Sequence, residues 1–117
     1  MPPDEFEAIV TAQLAALPAW VRDAVRDVAF LVEDHPAEGT GSAEGMLLGL
    51  YRGVPQTRRA GRPSGSLPDT IFLYRVAILA VCRRAADVPP RVRSVLLHEI
   101  GHALGLGEER LRELGVG

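Results

Sequence analysis

Two of the chain's three histidines lie four residues apart, in the segment His-Glu-Ile-Gly-His at residues 98–102. Residues with this spacing share one face of a helix, so the imidazoles of His98 and His102 can bind a single Zn²⁺ ion. Glu99 directly follows the first histidine, where its carboxylate can act as general base on a metal-activated water. The pattern therefore predicts a zinc site with two histidine ligands and Glu99 as the catalytic residue.

Three glutamates after this motif are candidates for a third metal ligand. We expect Gly105 and Gly107 to end the helix, because glycine readily adopts the left-handed conformation that closes a helix carboxyl end. The chain can then fold back and bring Glu108 to the ion, in the spacing H-E-x-x-H-x-x-G-x-x-E. Glu109 and Glu113 are the alternatives, and solvated carboxylates at the start of a terminal helix would explain all three without a metal.

The length and the charge of the chain limit the classes of function. A chain of 117 residues suits one domain, spanning residues 1–117. The net charge of -2 argues against a nucleic-acid surface, which needs clustered excess positive charge. Residues 1–5 lack the basic start of a signal peptide, and no apolar run approaches the ~20 residues of a membrane span. We therefore expect a cytoplasmic protein that binds neither nucleic acid nor membrane.

Hydrophobic periodicity predicts the elements that must position the motif. Helical spacing covers residues 4–17, and Pro18 suits the first turn of a second, short helix. The remaining elements are strands over 28–32, 46–52 and 70–74, a helix over about 76–86, and a long helix that starts near Asp87, Pro89 and Pro90 and carries the motif. This order predicts an α+β domain, with helices packed on a short three-stranded sheet.

Three segments resemble the minimal zincin-like metallopeptidase family, the mini-zincins. They are LGLYRGVP at 48–55, LPDTI at 67–71 and VLLHEIGHALGL at 95–106. The resemblance implies the α+β zincin core and a zinc site of two histidines and a carboxylate. That family more often has His-Phe where this chain has Ala103 and Leu104, and it usually has Asp at the position of Glu108, a change that keeps the charge and adds a methylene.

Further polar residues have both a chemical and a structural interpretation. Tyr51 and Tyr74 lie on predicted strands, and a tyrosine beside zinc can donate a hydrogen bond to a tetrahedral oxyanion. Packing against the core with the hydroxyl at the surface is the alternative. Arg52 can orient a substrate carboxylate or face solvent. Asp69 follows a proline at a strand entrance, where a hydrogen bond within a turn explains it.

Together these features predict a zinc-dependent metallopeptidase that hydrolyses peptide bonds through a metal-activated water. The substrate, a peptide or an unfolded protein segment, would lie extended along an exposed edge strand. One small domain leaves the cleft shallow, unless a partner or a homo-oligomer supplies its other wall. The alternative is a catalytically inactive zinc-binding module for regulation or protein interaction. A nucleic-acid binder that uses Arg58, Arg59 and Arg62 is disfavoured by the net charge.

Overall fold

The computed structural model describes residues 1–37, 47–53, 69–106 and 109. Its elements are α1 (Pro3–Ala15), α2 (Ala19–Ala24), β1 (Ala29–Glu33), β2 (Gly49–Arg52), β3 (Thr70–Tyr74), α3 (Arg75–Ala80) and α4 (Val88–Ala103). A 3₁₀ turn, Ala85–Asp87, leads into α4. The predicted α+β class and order of elements are confirmed. The predicted arginine cluster at 58–62 lies outside the described residues.

The sheet has the strand order β1-β3-β2, so β3 is central and β2 lies at an edge. β1 runs parallel to β3, whereas β2 runs antiparallel to it, with Leu50 opposite Phe72. The Tyr74 N–H donates to the carbonyl oxygen of Leu48 at 3.0 Å. Because pairing alternates along an antiparallel strand, the backbone groups of Gly49 and Tyr51 point away from β3.

The core lies between the sheet, α1 and α4. The largest fully buried side chains come from each of these parts and from α3: Phe6, Ile71, Leu73, Ile78, Val88, Val92 and Leu96. Along α4 the buried apolar residues recur every three to four positions, which is one face of a helix. The helix is therefore held by its apolar face, and its orientation over the sheet is fixed.

The observed boundaries differ from the predicted ones at several places. The helix predicted to end near residue 86 ends at Ala80. Arg84 is extended instead, and its N–H donates to the Asp87 carboxylate at 3.1 Å, which prepares the start of α4. Pro18 lies at the amino-terminal cap of α2: its backbone is extended, and its carbonyl oxygen accepts the Arg22 N–H at 3.1 Å in the first turn. The strand predicted from residue 46 begins at Gly49.

The carboxyl end of α4 confirms one prediction about the turn after the motif. Gly105 has a φ of 84°, in the left-handed region. Its N–H donates to the His102 carbonyl at 3.0 Å, and the Leu106 N–H donates to the Gly101 carbonyl at 2.9 Å. These two bonds form a Schellman motif, which glycine closes with little strain. Gly107, Glu108 and Glu113 lie outside the described residues.

None of the helices that the structure describes combines the length and the apolar character needed to cross a membrane.

Candidate metal centre

The side chains of His98 and His102 meet on one face of α4. Their Nε2 atoms are 3.2 Å apart, and their rings lie nearly perpendicular, with an interplanar angle of 79°. Zinc binds histidine nitrogens at about 2.0–2.1 Å, so two nitrogens arranged tetrahedrally around one ion would lie about 3.3 Å apart. The observed separation therefore fits a shared metal ion.

Glu99 completes a group that can hold a metal ion. The ligand atoms of His98, Glu99 and His102 all lie within 4.8 Å of one another. Both histidines are half-buried, whereas Glu99 is only 9% exposed. Its Oε1 atom accepts a hydrogen bond from the Tyr51 N–H at 3.0 Å. The carboxylate is thus hydrogen-bonded to the outer edge of β2 and lies beside the two imidazoles.

Gly49 allows α4 to approach β2 at this point. A Cβ atom at Gly49 would lie 2.7 Å from Val95 Cγ1, 3.0 Å from the Phe72 carbonyl oxygen and 3.3 Å from Glu99 Cγ. Real Cβ atoms hardly ever make contacts as short as the first of these. No role of Gly49 was predicted from the sequence. The sequence pattern that could have indicated this role is a glycine inside a strand, which often marks a position that another backbone approaches closely.

Asp69 and Tyr51 form a second polar contact behind the site. The Tyr51 hydroxyl donates to Asp69 Oδ2 at 2.7 Å, and Asp69 is only 2% exposed. The Asp69 carbonyl accepts the Ala29 N–H at 2.8 Å, which links the starts of β1 and β3. A Cβ atom at Gly53 would overlap the Asp69 carboxylate. The interpretation of Asp69 as a turn residue was therefore incomplete, because its side chain holds the edge strand.

Tyr74 and Arg52 both contact Phe72. The Tyr74 ring stacks parallel to that of Phe72 with centroids 6.3 Å apart, and the Arg52 guanidinium lies 5.1 Å from the centroid of the Phe72 ring. Tyr74 is 2% exposed, so its side chain packs in the core, as the structural alternative predicted. Burial raises the pKa of the Tyr74 hydroxyl above its ordinary value. A contact of Tyr51 or Tyr74 with an oxyanion stays a prediction.

The third metal ligand also stays a prediction. Of its three candidates only Glu109 belongs to the described residues, and it is exposed. Glu108 and Glu113 lie outside them.

A cavity of about 270 Å³ opens beside the metal centre. It lies between α4 and the start of β2, and His98 and Glu99 form one of its walls. The rest of its lining comes from Leu47, Leu48, Gly49, Arg91, Ser94 and Val95. His98 and Glu99 are therefore accessible from a partly apolar recess.

An H-E-x-x-H helix is the metal-binding signature of zincins, and here it is packed on a small mixed sheet. The zincin-like metallopeptidase family matches residues 25–117, which is most of the sequence, and the chain belongs to this family. The resemblance found in the sequence is thus confirmed.

The chain also resembles a solved structure in its fold. That structure is of a conserved hypothetical protein from T. thermophilus, with 22% sequence identity and a TM-score of 0.57, and the match covers 97% of each chain. Identity this low supports the fold alone. No curated protein matches the chain.

Proposed function

We propose that this protein is a zinc-dependent metallopeptidase, with His98 and His102 as metal ligands and Glu99 as general base. The observation that carries the proposal is the 3.2 Å separation of the two Nε2 atoms, with the Glu99 carboxylate in the same cluster. Membership of the zincin-like metallopeptidase family supports it. Zinc bound here would supply a Lewis acid that polarises the scissile carbonyl and lowers the pKa of water to about 7.

Glu99 performs the proton transfers in this mechanism. Its carboxylate takes a proton from the attacking water and delivers it to the leaving amine nitrogen. The hydrogen bond from the Tyr51 N–H, at 3.0 Å, keeps Oε1 in place during both transfers. Burial of Glu99 limits competition from bulk water for the same proton.

The substrate is a peptide or an unfolded protein segment, bound along the outer edge of β2. The backbone groups of Gly49 point away from β3 and can pair with an extended chain. Such pairing places the peptide backbone directly beside the Glu99 carboxylate.

Glu108 is our candidate for the third ligand, with Glu109 and Glu113 as the alternatives. Three protein ligands would leave one position of a tetrahedral ion open, as catalytic zinc requires. We also propose that the protein acts in the cytoplasm, and that a homo-oligomer can supply a second wall for the shallow cleft.

The test begins with the metal content of the purified protein, measured by elemental mass spectrometry. We expect about one zinc per chain in the wild type and its loss in His102→Ala, because a single histidine cannot hold the ion in place of two. His35→Ala is the matched control, since His35 is exposed and lies outside the cluster. A wild-type protein that takes up no zinc after reconstitution would refute the metal site.

Hydrolysis is measured next, on unfolded protein and peptide libraries. Glu99→Gln should keep its zinc and lose about 10²–10⁴-fold in rate, which is the usual contribution of general acid–base catalysis. If zinc-loaded wild-type protein cleaves none of these substrates, the alternative applies: a catalytically inactive zinc-binding module for regulation or protein interaction.

A further inference from the structure

The cavity beside the metal centre is suited to one side chain. Its apolar lining includes Leu47, Leu48 and Val95, and its volume is about 270 Å³. Pockets that enclose drug-sized ligands have volumes of about 300–1,000 Å³, so this cavity matches a part of a longer molecule. Its apolar part can accept an aliphatic side chain, which has no polar group of its own that would lose hydrogen bonds to water.

A second cavity continues from the first along α4. It has a volume of about 410 Å³ and lies between α4 and the segment after α3, where Cys82 and Arg83 line it. Arg91 and Ser94 line both cavities. The two cavities are therefore neighbours along α4. We call them together the α4 groove, which extends from the metal centre toward the amino end of α4.

The far part of the α4 groove is positively charged. Arg83 and Arg91 are both exposed, and neither makes an ion pair with another described residue. The acidic residue that lines this far part, Asp87, is already paired with Arg84, whose Nη2 lies 3.3 Å from its Oδ1 atom. A carboxylate on a ligand would therefore meet guanidinium groups that no described carboxylate neutralises.

The distance between Arg91 and the metal centre sets the position of that carboxylate. Arg91 precedes His98 by seven residues, and a helix rises 1.5 Å per residue, so the two are about 10 Å apart along the axis. An extended peptide advances about 3.3 Å per residue. Arg91 is thus level with a residue about three positions away from a peptide bond held at Glu99.

The sheet suggests on which side of the scissile bond this residue lies. Leu47 and Leu48 precede β2, so the groove begins at the amino end of that strand. A peptide added antiparallel to β2 has its carboxyl-terminal half at this end. Antiparallel pairing is also about two to three times as common as parallel pairing.

We propose that the α4 groove selects peptides by two features. One is an aliphatic side chain next to the scissile bond, and the other is a carboxylate bound by Arg91, about three residues from the scissile bond toward the carboxyl terminus. The guanidinium group recognises the planar carboxylate, whether it belongs to an acidic side chain or to the end of the chain. This inference rests on the proposed function, because it names the substrate class of the same site.

The test measures binding separately from cleavage, by fluorescence polarisation of labelled peptides on the full-length Glu99→Gln protein. Three peptides share one leucine. The first has Glu three residues after it, the second has Gln there and an amidated end, and the third ends there with a free carboxylate. We expect the first and the third to bind up to about fivefold more tightly than the second at low salt, a ratio at the upper end of the range for an exposed ion pair.

Arg91→Glu should reverse this preference, since it places like charges together. Arg93→Glu is the matched control, because residues two apart on a helix do not face each other and Arg93 lines neither cavity. Tighter binding of only the third peptide would support the groove and assign it to chain ends. Equal binding of all three, no binding, or a preference that survives Arg91→Glu would overturn the inference.

Cleavage assays separate this inference from the proposed function. A wild-type protein that hydrolyses peptides with no preference for a carboxylate would refute the groove and leave the peptidase assignment intact. A carboxylate preference in binding, without hydrolysis by the zinc-loaded protein, would support the groove and refute the peptidase assignment.

Discussion

The two edge strands of the sheet, β1 and β2, flank the same central strand but meet different neighbours. Residues of β1 alternate between half-buried and exposed positions, and Leu31 at its centre is 45% exposed. β2 instead lies against α4, where Gly49 fits beside Val95 and the Tyr51 N–H binds Glu99. The β1 edge consists mainly of apolar side chains, whereas at the β2 edge ionisable groups of a helix contact the strand backbone.

Buried charge shows the difference most clearly. Among the described residues, the buried charged side chains are Asp69 and Glu99. Both bind Tyr51: Glu99 accepts its N–H, and Asp69 accepts its hydroxyl. A buried carboxylate is costly unless it is hydrogen-bonded. The hydrogen bonds from Tyr51 offset this cost at the β2 edge and position Glu99. No charged residue of β1 is buried.

The largest expected effect comes from adding one methyl group to the β2 edge. Gly49→Ala places a Cβ atom 2.7 Å from Val95 Cγ1 and 3.0 Å from a backbone carbonyl, so the contact between β2 and α4 must shift. Overpacking of this kind costs about 1–3 kcal/mol. Displacement of Glu99 from the Tyr51 N–H should lower hydrolysis as well. Urea unfolding gives the free energy, and peptide cleavage gives the rate.

The matched substitution on the opposite edge is Leu31→Ala. Because Leu31 is exposed, the free energy of unfolding should change by less than about 1 kcal/mol, and cleavage should not change. If Gly49→Ala is as stable and as active as the wild type, then the close approach of α4 to β2 has no importance for the site.

A smaller effect is expected when the contact behind the site is removed. Tyr51→Phe deletes the hydroxyl that donates to Asp69 and leaves the backbone N–H that binds Glu99. The loss of a donor to a buried carboxylate should cost about 1–2 kcal/mol, measured by urea unfolding. A double-mutant cycle with Asp69→Ala isolates the pair, and a coupling energy near zero would contradict the assigned role.

Local signals in the sequence were sufficient for the elements that carry the site. The run of β-branched and aromatic residues at Thr70–Tyr74 predicted β3 with its correct bounds. The prolines after Asp87 marked the start of α4, and the spacing of its histidines predicted that they meet. Each of these signals depends on neighbours within one or two turns of helix, or within a single strand.

Contacts between distant residues were missed for the same reason. Tyr51 and Glu99 are 48 positions apart, and Tyr51 and Asp69 are 18 apart. No periodicity within one element indicates that they meet. The strand order was also open, since β1 pairs in parallel with β3 although β2 lies between the two strands in the sequence. The roles of Gly49 and Asp69 follow only after the sheet and α4 are assembled.

The smallest expected effect lies at the end of β1, where Arg75 Nε donates to Asp34 Oδ1 at 2.8 Å. This bond lowers the pKa of Asp34 below its ordinary value of 3.8. A carboxyl group whose pKa is lower in the folded state stabilises the fold at pH values above its ordinary pKa. This contribution is lost as the pH falls through the pKa of the folded state. Asp34 is exposed, so solvent screens the pair.

The melting temperature of Asp34→Asn should therefore be slightly below that of the wild type near neutral pH, and the difference should disappear in acid. A difference that persists at low pH would show that the ion pair does not stabilise the β1 edge.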